Sequence, residues 1–191
     1  SGSFGSALSA REQILAQKPE AKVQVVDSLA ASLGFGLLID HVLKNRARGM
    51  SLEENARWII ENRLKVHHWF TVDDLNHLYR GGRLSRGSAL IGSMLRIKPV
   101  LQVNREGKLV AFEKVRSFEK CTERLADAII TAANGKKGTM YVLSGNLNPH
   151  TKSLLNYLSS RGYVNTEVLP AASVSIANIG VFTLGCVFVE D

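Results

Sequence analysis

The chain has 191 residues, 45% of them hydrophobic and 21% charged, with a net charge of +7 and two cysteines. That composition supplies a packed core and excludes a disordered chain, and its lysines and arginines are spread along the sequence, which argues against a nucleic-acid surface. No apolar run reaches the roughly 18 to 20 residues that span a bilayer, and Cys121 and Cys186 fit neither a zinc spacing nor a disulfide framework, so the expected setting is a reducing cytoplasm without stable membrane insertion.

Ser1-Gly2-Ser3 reads as a loop running into a helix. Val23, Val25 and Val26 form a β-branched run ending at Asp27-Ser28, the pattern of a buried strand that feeds a loop. Leu33, Leu37, Val42 and Leu43 then recur near helical spacing up to Gly49. Ser51 and Glu54 make a capping box for the next helix, whose apolar stripe is Leu52, Ala56, Ile59 and Ile60. Strands alternating with helices predict a parallel sheet.

The pattern changes near residue 64. Val66 to Val72 reads as a strand, and Asp73 opens a short helix that stops at Gly81-Gly82. Strands at Lys98 to Val103 and Lys108 to Val115 flank the hairpin loop Asn104-Arg105-Glu106-Gly107. Ser117 starts a long helix with Cys121, Leu125, Ile129 and Ala132 inward, closed by Asn134-Gly135. A strand follows at Thr139 to Leu143. Asn148-Pro149 reads as a helix start, with Leu154, Leu155 and Leu158 inward. Val164 to Leu169 and Val181 to Val189 are strands again. The expected division is residues 1 to 64 and residues 65 to 191.

Ser1 stands before helix amides that favour an anion, and its hydroxyl reads by itself as a helix cap before it reads as a donor to a ligand. Gly34 and Gly36 admit either close approach to a ligand or tight packing of a helix on a sheet. Leu33, Phe35, Leu37 and Leu38 are core or the lining of an apolar tunnel, which sequence does not separate. Arg83 follows two glycines and suits a bend that aims a guanidinium at a carboxylate or phosphate. Gly81-Gly82-Arg83 is not a nucleotide-binding loop, so no ATP site is expected. His67 and His68 are neighbours on a strand and face opposite ways, while His41, His77 and His150 lack partners at ligand spacing, so no metal is expected either.

Three segments together resemble the DegV family. The first is Ser1-Gly2-Ser3-Phe4-Gly5-Ser6-Ala7, similar to that family's Ser-Gly-Thr-Tyr stretch. The second is Val25-Val26-Asp27-Ser28 with Ser32-Leu33-Gly34-Phe35-Gly36. The third runs through Val72-Asp73-Asp74-Leu75, Arg80-Gly81-Gly82-Arg83-Leu84-Ser85, Ile91-Gly92, Ile97-Lys98-Pro99 and Lys114-Val115-Arg116. The resemblance implies a two-domain α/β fold. Residues 1 to 64 would be the C-terminal part of a parallel-sheet, Rossmann-like domain that lacks the family's N-terminal stretch. Residues 65 to 191 would be a second α/β domain with a mixed or antiparallel sheet.

The resemblance also implies a non-catalytic carrier that buries one long-chain fatty acid and presents the carboxylate to an ATP-dependent kinase subunit. No cofactor is implied beyond the fatty acid itself, and contact with a membrane would be transient. Ser1, Gly2, Arg83 and Asn178 would hold the carboxylate, with Ser3 left as the helix cap. Leu33, Phe35, Leu37 and Ile91 would line the acyl chain, and Arg116 would meet the kinase. The family's late histidine near the carboxylate is replaced here by Asn178, in Ala177-Asn178-Ile179-Gly180, which removes a possible imidazolium and implies binding that varies less with pH. Two other readings stand beside this one. A lipid hydrolase or acyltransferase would use Ser1 or Ser28 as nucleophile, but no histidine lies in a segment expected to approach either. A regulatory protein would bind a partner or DNA through its basic surface.

Overall fold

The computed structural model describes residues 2–84, 97–145 and 148–190. Its centre is a six-stranded sheet in the order β3-β2-β1-β6-β4-β5. The strands are β1 (Val66–Thr71), β2 (Lys98–Val103), β3 (Leu109–Val115), β4 (Met140–Ser144), β5 (Thr166–Pro170) and β6 (Leu184–Val189). Neighbours pair antiparallel except β4 and β5, which run parallel, so the sheet is mixed. A parallel pair needs a crossover, and α6 (Thr151–Ser160) supplies it. β1 and β6 pair along their full length, from Val66 opposite Val189 to Thr71 opposite Leu184.

One face of the sheet is covered by α5 (Phe118–Ala133) and α6. Cys121, Leu125 and Ile129 of α5, with Leu154 and Leu158 of α6, pack on Trp69, Val142, Leu184 and Cys186. Burying each leucine or isoleucine there contributes about 1.5–3 kcal/mol. Desolvation pushes the Cys121 thiol up to about 11 and raises that of Cys186 further, so both stay protonated and inert.

The other face carries two separate apolar clusters. On β1, Val66, His68 and Phe70 share that face, because alternate residues of a strand point the same way. Phe70 belongs to a cluster with Val72, Leu101, Leu84 and the α4 (Leu75–Arg80) residues Leu75 and Leu78, over which Ile179 of α7 (Ser173–Ile179) packs. Val66 joins Val187, Leu33, Leu37 and Leu38 of α2 (Ser32–Ala47) and Trp58 of α3 (Leu52–Asn62). His68 lies between the two.

Several expectations are corrected. Val23 to Val26 forms no strand: no described strand lies beside it, and a strand without a ladder partner leaves its amides unpaired. Ser3 is no cap, since α1 (Gly2–Gln17) already includes it; that helix buries no residue and touches the following segment through the Arg11 Nε–H donated to the Val23 carbonyl at 3.1 Å. The capping box of α3 is present, but Leu52 and Ile60 of its expected stripe are exposed. Besides Trp58, a buried asparagine pair joins α3 to α2, Asn45 Nδ2 donating to Asn55 Oδ1 at 3.3 Å and Asn55 Nδ2 to the Val42 carbonyl at 2.9 Å. α6 begins two residues later than expected, because Asn148 Oδ1 accepts the His150 N–H at 2.8 Å and closes a turn instead of capping a helix. α7 was not expected at all.

Candidate functional site

The turn after α4 is fixed by its hydrogen bonds. Asp74 caps the helix by accepting the Asn76 N–H at 2.8 Å, and the amides of Gly81 and Arg83 reach back to the carbonyls of His77 and Leu78 at 2.9 and 2.8 Å. Gly82 sits at φ +70, the left-handed geometry that ends a helix and that glycine adopts without strain. Leu84 then enters the apolar cluster, 5% exposed, and so pins the chain. Arg83, caught between the bend and that anchor, is left exposed, with its Nη1 donating to the Gly81 carbonyl.

α7 packs against α4, and the two elements meet at glycines. A Cβ built on Gly81 would stand 2.9 Å from Asn178 Oδ1 and 3.7 Å from Arg83 Cδ. One built on Gly180, at φ +90, would stand 3.1 Å from the His77 ring. Thr183 Oγ1 donates to the carbonyls of Ile179 and Gly180 at 2.9 and 2.8 Å, which holds the end of α7 in place. Asn178 spends one Nδ2 hydrogen on the Val174 carbonyl at 2.8 Å. Arg83 and Asn178, which sequence reasoning named separately, therefore converge around Gly81.

The other named residues are dispersed. Leu33 and Leu37 lie together in the cluster under α2, whereas Phe35 is 49% exposed. A Cβ on Gly2 would meet nothing within 4 Å. Arg116 is exposed in the turn between β3 and α5. Ser1 and Ile91 lie outside the described residues. α2 and α7 are linked by Ser175 Oγ donating to Ser32 Oγ at 3.3 Å, so the helix carrying Leu33 and Leu37 touches the helix carrying Asn178.

Between the two clusters sits His68, 7% exposed, whose Nε2 accepts the Ala31 N–H at 3.4 Å. Burial pushes its pKa down to about 4, so the ring is neutral at physiological pH. Gly34 exists to make room for it: an added Cβ would stand 1.9 Å from Nε2, so close packing is the use found for this glycine. Gly36 meets nothing within 4 Å. Leu29, in the segment before α2, has φ 51, and Ser32, the first residue of α2, has φ 50, both strained for side-chain-bearing residues. A histidine does approach the Ser28 segment, contrary to expectation. Its Nε2 is engaged by Ala31, and Ser28 Oγ bonds to the N–H and carbonyl of Ala30, so no nucleophile and base are paired there. Among the described residues no helix is long and apolar enough to cross a membrane.

The sequence model described as an uncharacterised protein of the DegV family matches residues 1–191. A DegV domain-containing protein of Clostridium perfringens is 34% identical over 193 residues, covering 100% of this chain and 66% of that protein. A fatty-acid-binding DegV family protein of Streptococcus agalactiae superposes with a TM-score of 0.88 at 28% identity, covering 100% of this chain and 66% of its own. The B3 protein of Streptococcus pneumoniae fatty acid kinase, solved with linoleic acid, superposes with a TM-score of 0.83 at 25% identity, with 100% and 68% covered. The chain thus spans about two thirds of the length of such relatives. The Gly-Gly-Arg turn, the mixed sheet and a match along its whole length make this chain a member of the DegV family.

Proposed function

We propose that this chain is the larger part of a non-enzymatic carrier for one long-chain fatty acid. The observation that carries the reading is the convergence of the Arg83 guanidinium and the Asn178 amide on the glycine seam between α4 and α7. A guanidinium grips a carboxylate through charged hydrogen bonds worth about 1.5–3 kcal/mol each, and an amide adds a neutral one. Ser1, and Gly2 at the start of α1, are further head-group donors in this reading. In this reading the acyl chain is lined by Leu33, Phe35, Leu37 and Ile91, and the chain divides into two domains near residue 64.

A partner kinase with its own ATP then phosphorylates the carboxylate. The carboxylate oxygen attacks the γ-phosphorus, ADP leaves, and an acyl phosphate forms. Arg116 is the proposed contact for that partner. The fatty-acid-binding and fatty-acid-kinase relatives support this assignment.

Native mass spectrometry of the full protein as purified tests it. The expected result is a mass increment of one fatty acid, lost on extraction and restored by adding oleate. A protein that stays empty with oleate present, or that hydrolyses a lipid ester, defeats the reading.

A further inference from the structure

We infer that Asn134-Gly135, the turn that ends α5, is a site of spontaneous chemical modification, where the asparagine amide is lost as ammonia when the last turn of the helix opens.

The reaction needs a particular pair of residues. The side-chain amide of an asparagine is attacked by the backbone nitrogen of the next residue, and a side chain on that residue obstructs the attack. Of the asparagines in this chain, only Asn134 is followed by glycine. Asn148 precedes a proline, which has no N–H to give up, and each of the others precedes a residue with a Cβ.

The surroundings of the pair are open. Asn134 and Gly135 are both exposed, and a Cβ on Gly135 would meet nothing within 4 Å. Among the described residues, neither the Asn134 side-chain amide nor the Gly135 N–H has a hydrogen-bond partner. By contrast, the amides of Asn45, Asn55, Asn62, Asn76, Asn165 and Asn178 all donate to neighbours.

What restrains the pair is the turn itself. Asn134 has φ 49 and ψ 42, the left-handed geometry that closes a helix, and its N–H is shared between the carbonyls of Ile130 and Thr131 at 3.3 and 3.2 Å. The Lys136 N–H returns to the Ala133 carbonyl at 2.9 Å, and Lys137 Nζ donates to the Arg161 carbonyl at 2.9 Å. At that ψ the Gly135 nitrogen lies on the opposite side of the Cα–C bond from the Asn134 Cβ, whereas ring closure needs the two on the same side. The reaction therefore draws only on molecules in which the end of α5 has opened, and fraying helix ends are among the least stable parts of a fold.

In the open form the Gly135 nitrogen attacks Cγ of Asn134. The N–Cγ bond forms, the Cγ–Nδ2 bond breaks, and ammonia leaves with the proton that Gly135 gives up. Water then opens the cyclic imide, at Cγ to give aspartate or at the main-chain carbonyl to give isoaspartate. Aspartate puts a negative charge beside the last carbonyls of α5, which the helix dipole disfavours. Isoaspartate lengthens the main chain by a methylene, so the turn bonds of residues 134 and 136 are no longer in register. Ala133 and Ile129, 2% and 0% exposed, immediately precede this turn, so either product loosens the core end of α5.

The full protein is incubated in warm, mildly alkaline buffer, folded and in urea, and followed by peptide mass mapping and by enzymatic methylation of isoaspartate. The expected result in the folded protein is a gain of about one dalton on the peptide that holds residue 134, with the other asparagines intact, at a rate about tenfold or more below that in urea. Modified molecules separated by charge melt below unmodified ones, and Asn134→Gln abolishes the gain on that peptide. Modification that starts at another asparagine, or a residue 134 that reacts in urea and never in the folded protein, overturns the inference. Equal rates in the two conditions overturn the control by the turn. Both rates come from wild type, so these outcomes stand even if Asn134→Gln misfolds.

Discussion

His68 stands in the space that a side chain at position 34 would need: a Cβ on Gly34 would lie 1.9 Å from Nε2 and 2.6 Å from Cε1 of the imidazole. α2 can approach the sheet there only because residue 34 has no Cβ, and the approach in turn buries His68 and lets the Ala31 N–H reach Nε2.

Gly34→Ala is therefore expected to destabilise the protein by about 1–3 kcal/mol, despite alanine being the better helix former. In a His68→Ala background the same substitution should cost less, because the obstructing ring is gone. Urea denaturation of the two singles and the double measures the coupling. Additive effects would mean that the two residues do not meet.

The same burial makes stability depend on pH. His68 titrates near 6.5 when unfolded and at about 4 when folded, so between those values the unfolded chain binds more protons. Stability is thus complete above about pH 6.5 and falls as the pH drops towards 4, with a loss of up to about 3 kcal/mol from this residue. The difference in unfolding free energy between wild type and His68→Leu, followed from pH 7.5 to about 4, should shrink or change sign towards the acid end. A difference that is constant with pH would show that the ring is not held neutral.

Why some of this was legible and some was not follows from where each signal resides. The hairpin was readable because its causes are local: Asn104 Oδ1 accepts the N–H groups of Glu106 and Lys108 at 3.0 and 2.9 Å, and Gly107 takes φ +73. The inward face of α5 was readable because Cys121, Leu125 and Ile129 repeat at helical spacing and all end at 0% exposure. α7 buries no residue fully, so its seven residues offer no apolar stripe, and without that helix the contact of His77 with Gly180 has no trace in the sequence. The converse failure is Val23 to Val26, whose β-branched pattern promises a strand that no described neighbour completes. Arg83 and Asn178 could be named one by one, but their meeting at Gly81 joins residues far apart in the chain, and only packing reveals it.

The bend after α4 separates anchoring from binding in adjacent residues. Leu84, 5% exposed among Val72, Leu75 and Leu78, should cost about 2–5 kcal/mol of stability when changed to alanine. Arg83→Ala, at an exposed position, should leave thermal unfolding within about a degree or two while lowering oleate affinity by tenfold or more. Calorimetric melting and ligand titration on both variants check this. An Arg83→Ala protein that melts early and binds normally would make this arginine a structural residue.

The last prediction concerns Arg116 and its neighbour. Ser117 Oγ accepts the Lys120 N–H at 3.2 Å and caps α5, so Ser117→Ala should lose about 1 kcal/mol of stability. Arg116 lies one residue earlier, exposed and outside the helix, at the end of the sheet's edge strand β3. Arg116→Ala should therefore leave both the melting temperature and the retained fatty acid unchanged. If it meets the kinase, the loss appears in association: acyl phosphate formation slows at limiting kinase, the defect is strongest at low salt, and raising the kinase concentration restores the rate, because an exposed charge acts mainly on encounter. Steady-state assays across kinase and salt concentrations, with lipid content measured by mass spectrometry, separate the possibilities. A fall in retained lipid would move Arg116 into the ligand site, and a turnover rate equal to wild type at every kinase concentration would remove it from the interface.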